Sequence, residues 1–186
     1  MIGQKLVLAI ALAVIPAMAS AQQAGTASAD SGRPAYQLGA GDEIRVSVFG
    51  LDALTNAYVV GDAGTISLPL VSEIPVRGKT TRDVEVAIAN SLREKDVVKN
   101  PSVSVQVTKY RPFFILGEVQ RPGQYPYVPG MSVLTAVSIA GGYTFRANSK
   151  NASITRNIQD KIVKGRANPE TPVMPGDTVL IPESWF

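Results

Sequence analysis

From Phe113 to Arg146 the chain reads FFILGEVQRPGQYPYVPGMSVLTAVSIAGGYTFR. Phe113 to Leu116 is a continuous apolar run with aromatic and β-branched character, which suits a buried strand, and Gly117 ends it. Pro122-Gly123 is a turn dipeptide: Pro presets φ at the first central position, and Gly supplies the positive φ that a type II turn takes at the second. The strand is expected to fold back there. After a second turn at Pro129-Gly130, Ser132 stands where a side-chain oxygen caps a helix. Val133, Leu134, Val137 and Ala140 recur at helical spacing behind it, and Gly141-Gly142 stops the helix. So short a helix is not stable alone in water, so it must pack on the strands beside it. The unit is compact and needs a neighbour.

On the N-terminal side, Pro112 separates this unit from the clearest strand of the chain, where Val103, Val105 and Val107 alternate with Ser104, Gln106 and Thr108. Before it, Thr80 or Thr81 is placed to cap a helix running to about Lys95, with Val84, Ala87, Ile88, Ser91 and Leu92 as its inward stripe. Order is expected from Tyr36, and Ile44, Val46 and Val48 alternate with polar residues in a first strand. A second strand is read at Tyr58–Val60, and a hairpin turn at Gly61-Asp62-Ala63-Gly64. The third strand runs over Ile66, Leu68 and Leu70, near a sheet edge because Pro69 cannot donate to a ladder. On the C-terminal side, Ala152–Arg156 is short and alternating, and Asp160–Asn168 is basic and loop-like. Thr178–Ile181 is a last strand. Gly41-Asp42 and Gly176-Asp177 share one local grammar: a tight glycine turn, an Asp able to bond backbone amides beyond it, then a β run.

The chain has 186 residues and is 45% apolar, enough for one large or two small globular domains. Lys5 precedes the apolar run Leu6–Ile15, then Pro16 and small residues up to Ala21, the pattern of a secretory signal peptide cleaved after Ala19 or Ala21. That run is well short of the roughly 20 residues a membrane-spanning helix needs. Ala, Ser, Gly and Gln dominate the next stretch to Pro34, read as a mobile leader. There is no cysteine, so no disulfide staples the fold in an oxidising compartment, and no lipid can be attached through one. The formal charge of +3 is too weak to indicate nucleic acid. Basic residues are concentrated, however: between Thr144 and Glu170 six Lys and Arg face only Asp160 and Glu170.

Three patterns carry a resemblance. Y-x-L-G-x-G-D followed by alternating Ile44, Val46 and Val48, then G-x-I-x-L-P, then N-P-x-V-x-V, resembles the N-terminal domain of the Wza-type polysaccharide export family from Tyr36 to about Tyr110. From Phe113, G-E-V-x-x-P-G-x-Y followed by A-G-G resembles the soluble-ligand-binding β-grasp (SLBB) module. The resemblance implies an α+β chain of two small mixed domains, a polysaccharide export domain (36–111) and an SLBB β-grasp-like domain (112–186), behind the signal peptide (1–21) and flexible leader (22–35) read above. It further implies a periplasmic component of capsular or extracellular polysaccharide export, forming or joining an oligomeric ring. The implied partners are an inner-membrane copolymerase, further copies of the chain and the polysaccharide itself. With no cysteine for a lipid anchor and no C-terminal amphipathic helix, the expectation is a protein associated with the outer membrane through partners, docking on a separate β-barrel. The alternative is a stand-alone periplasmic glycan- or ligand-binding module. DNA uptake, a third reading, lacks a long basic stripe.

Without His or Cys the usual bases and nucleophiles are missing, and no enzyme, cofactor or metal is expected. Gly41, Asp42, Gly61, Asp62, Gly117, Pro122, Gly123, Gly141, Gly142, Gly176 and Asp177 read as turn and fold determinants. Arg146, Lys150, Arg156, Lys161, Lys164 and Arg166 are candidate contacts for an acidic polymer, against the plainer reading of a solvated basic face. Tyr143 is the candidate stacking residue, with Tyr125 and Tyr127 open to stacking or core roles.

Overall fold

The computed structural model describes residues 35–158 and 161–184. The expected signal peptide, the leader up to residue 34, Asp160, and Trp185-Phe186 lie outside them. The fold is α+β with two domains, each built around its own apolar cluster.

In the first domain β1 (Glu43–Val48) buries Ile44, Val46 and Val48 on one face, as its alternation requires. It pairs antiparallel with β2 (Asn56–Val59) and β5 (Val103–Lys109) in the order β2-β1-β5. Helix α1 (Thr81–Glu94) opens on a capping box: the Asp83 amide bonds the Thr80 hydroxyl, and the Asp83 carboxylate accepts from the Thr80 amide. Its Val84, Ile88 and Leu92 are fully buried in the shared core with Ile44, Val46 and Leu54. The predicted third strand is shorter than its alternation suggests. β3 (Thr65–Ser67) stops before Leu68 and pairs with β4 (Glu73–Pro75), not with β2. Pro69 has no N–H and Leu70 takes φ 64°, so the ladder cannot continue.

The second domain is a five-stranded mixed sheet in the order β7-β6-β10-β8-β9. Its strands are β6 (Phe113–Gly117), β7 (Gly123–Tyr125), β8 (Ala152–Ile158), β9 (Lys161–Ala167) and β10 (Thr178–Ile181). β6 and β10 run parallel and the other neighbours antiparallel. Helix α2 (Val133–Ile139), capped by Ser132, packs Val133, Ala136 and Val137 into the cluster with Phe113, Ile115, Val179 and Ile181.

Three local expectations change here. Gly123 is not in the positive-φ region; it opens β7 opposite Ile115, where extended backbone is required. Leu134 is exposed, and Ala136 takes the inward place beside Val137. The stretch read as a basic loop is strand β9, held by β8 along its whole length. Gly117, by contrast, is a steric necessity. It has φ 86°, and a Cβ there would lie 2.0 Å from the Ile181 carbonyl oxygen on the parallel neighbour.

Candidate functional site

The two Gly-Asp strings build the same device twice. Gly41 and Gly176 have φ 88° and 83°, and each following Asp turns back so that its Oδ2 accepts from the amide three residues earlier: Gly39 for Asp42 (2.8 Å) and Met174 for Asp177 (2.7 Å). The backbone then pins a neighbour in the same pattern. Gly41 N donates to Val60 O and Val60 N to Asp42 O; Gly176 N donates to Pro112 O and Phe114 N to Asp177 O. From the sequence the carboxylates are expected to bond amides beyond the turn; Asp42 Oδ1 does so, accepting from the Arg111 amide, while the Oδ2 of each Asp points back into its own turn.

Both carboxylates are fully buried, and each is held by an arginine from elsewhere. Asp177 accepts from Arg156 Nε and Nη2 at 2.8 and 2.7 Å, a fork that also places Nη2 3.2 Å from Pro172 O. Asp42 accepts from the Arg111 amide (2.8 Å), Arg111 Nη1 (3.0 Å) and the Tyr36 hydroxyl (2.6 Å). Burial, then the bond to Asp42 and that carboxylate's charge, push the Tyr36 phenol far above its ordinary pKa. Arg111 also fills the space between the two turns. A Cβ at Gly39 would lie 2.2 Å from its Nη1 and one at Gly176 2.8 Å from its Nε. One arginine thus touches both devices and joins the two domains, a role that no local sequence signal marks.

An aromatic file continues from this joint. Tyr110 stands edge-on between Tyr36 (5.0 Å) and Tyr127 (5.3 Å), and Tyr125 stacks on Phe113 at 6.0 Å. Beside it lies an open cleft of about 570 Å³ whose lining includes Lys109, Tyr110, Gln124, Tyr125 and Tyr127.

The six basic candidates do not converge. Arg156 is committed to Asp177, and Arg146 donates to Glu183 with Nε 2.7 Å away. Lys150 sits in the turn before β8 and Lys161 at the start of β9. Only Lys164 and Arg166 are brought together, exposed on the sheet face away from α2. There the register rows run Phe114-Thr178-Thr155-Lys164 and Leu116-Leu180-Ser153-Arg166. Tyr143 turns its hydroxyl inward, where it is buried and finds no hydrogen-bond partner among the described residues. Among the described residues no group of acidic, His or Cys side chains is arranged to hold a metal, and no helix is long and apolar enough to cross a membrane.

Residues 30–108 match the family described as polysaccharide biosynthesis/export protein, and residues 112–173 match the SLBB domain. The chain is 34% identical to the exopolysaccharide production protein ExoF of Rhizobium meliloti (strain 1021), over 92% of this chain and 45% of that one. It is 33% identical to the EPS I polysaccharide export outer membrane protein EpsA of Ralstonia nicotianae, over 66% of this chain and 33% of the relative. The polysialic acid transport protein KpsD of Escherichia coli is 26% identical over 90% of this chain and 33% of its own length. The chain thus spans less than half of each of these relatives. None of their names is that of an enzyme.

Proposed function

The chain belongs to the polysaccharide biosynthesis/export family, with an export domain followed by an SLBB domain, and from that premise we propose that it is a non-catalytic periplasmic component of an exopolysaccharide export machine. The observation that carries this reading is the pair of family domains, in that order, joined through Arg111 in one compact body of residues 35–186. In this reading the signal peptide ends by residue 21 and a leader follows. The export domain occupies 36–111 and the SLBB domain 112–186. Copies of the chain assemble into a ring that passes polymer toward the outer membrane, between an inner-membrane copolymerase and a separate outer-membrane β-barrel. Polymer contact falls to Lys164 and Arg166, which stand side by side on the exposed face, with Lys150 and Lys161 adding long-range attraction for acidic sugars.

Deleting the gene should stop polymer secretion, and native mass spectrometry of the mature protein should show a closed oligomer. Exchanging Lys164 and Arg166 together for Glu should abolish salt-sensitive binding of an acidic polysaccharide while leaving the melting temperature unchanged. A monomer whose deletion leaves secretion intact would replace this reading with that of a stand-alone ligand-binding module.

A further inference from the structure

We propose that the cleft at the domain joint is a saccharide-binding site that holds pyranose rings by stacking; this rests on the export reading and deepens it. Three of the chain's six tyrosines line this one opening, although aromatic residues make up only 6% of the chain. Their walls are fixed before any ligand arrives. Tyr110 is wedged between two other rings, and Tyr125 is held by Phe113 on one side and by its hydroxyl donating to Arg121 O at 2.7 Å. Pro126 and Pro129 flank Tyr127 in the loop after β7 and stiffen it, so little conformational freedom is lost on binding. A volume of about 570 Å³ falls within the roughly 300–1,000 Å³ of small-ligand clefts.

The chemistry of the lining selects the class of ligand. A pyranose ring has an apolar C–H face, which an aromatic wall accepts, and a rim of hydroxyls that both donate and accept. Gln124 is exposed at the edge and offers a donor and an acceptor together, and the exposed Lys109 adds a cation for a sugar carboxylate. A proline-rich peptide also stacks on tyrosines, but it offers chiefly carbonyl acceptors and leaves the Gln124 oxygen unanswered. Because stacking is not screened by ions, binding here should persist at high salt, unlike binding at Lys164 and Arg166.

The test is a titration of the isotope-labelled mature protein with cellotetraose and with tetragalacturonic acid, at low and high salt. Both are expected to shift the amide signals of Lys109, Tyr110, Gln124, Tyr125 and Tyr127, with binding retained at high salt. Tyr127→Ala should weaken the affinity about fivefold or more. Gln124→Ala alters only an exposed side chain, so it should weaken binding about threefold with the fold intact. The inference is overturned if neither oligosaccharide moves these signals, if Gln124→Ala and Tyr127→Ala both bind as the parent does, or if a proline-rich peptide occupies the cleft in preference. Should deletion still block secretion in that case, only the cleft assignment falls; should deletion leave secretion intact, the export reading falls whatever the titration shows.

Discussion

Tyr36 and Tyr143 place their hydroxyls in opposite circumstances. The Tyr143 hydroxyl is buried and finds no partner among the described residues, so the structure bears the cost of desolvating it with nothing in return. Tyr143→Phe should therefore be neutral or stabilising by up to about 1 kcal/mol in urea unfolding; a clear loss of stability would mean that the hydroxyl has a partner in solution. Tyr36 donates to a buried carboxylate and must stay protonated to do so. Its folded-state pKa lies above the unfolded value of about 10, so the folded chain binds this proton more tightly. Its contribution to stability is complete below about pH 10 and declines as the pH rises beyond that. Tyr58, Tyr110 and Tyr143, raised by burial, act in the same direction. Denaturant midpoints should fall as the pH rises above about 10, and Tyr36→Phe should reduce that slope. The turn grammar around Asp42 and Asp177 was legible in sequence because it is local. Their arginines were not, since Arg111 lies 69 residues from Asp42 and Arg156 lies 21 from Asp177.

At the scale of elements, the amphipathic pieces were readable and the edges were not. β1, α1, β5 and α2 each have one buried face, so periodicity and caps locate them from sequence. β9 is an edge strand exposed along nearly its whole length, so KIVKGRA has no solvent-facing alternation to betray it. β3 failed the other way, because its alternation ran on past a proline that ends the ladder. The β6–β10 contact supplies a sharper test. Gly117→Ala must displace a backbone carbonyl as well as adopt a disfavoured φ, so it should cost about 3 kcal/mol or more. Gly165→Ala, where nothing lies within 4 Å of the added Cβ, should stay within about 0.5 kcal/mol of the parent. Similar melting temperatures for the two variants would contradict the close parallel packing.

For the whole molecule, the two clusters share no residue, yet Arg111 packs against both turns and its carboxylate partner is fully enclosed. The parent should unfold in one transition by calorimetry. Arg111→Ala removes the cation paired with the buried Asp42 carboxylate and opens the joint; it should cost about 3 kcal/mol and split the transition into two. Retention of a single transition would show that other contacts couple the domains. The candidate binding surfaces were only partly visible in sequence. The basic residues are adjacent in the chain but are dispersed by strand alternation, whereas the cleft tyrosines converge only because two domains meet. The position of β10 in its sheet bears on how the chain reaches this state. It is the last strand in sequence order among the described residues, yet it lies between β6 and β8. Until residues 178–181 are available, the β6–β7 and β8–β9 hairpins have no strand between them, and Phe113 and Ile154 belong to separate fragments. The second domain should therefore be the slow-folding half, its rate set by closure of the long loop between Gly117 and Thr178.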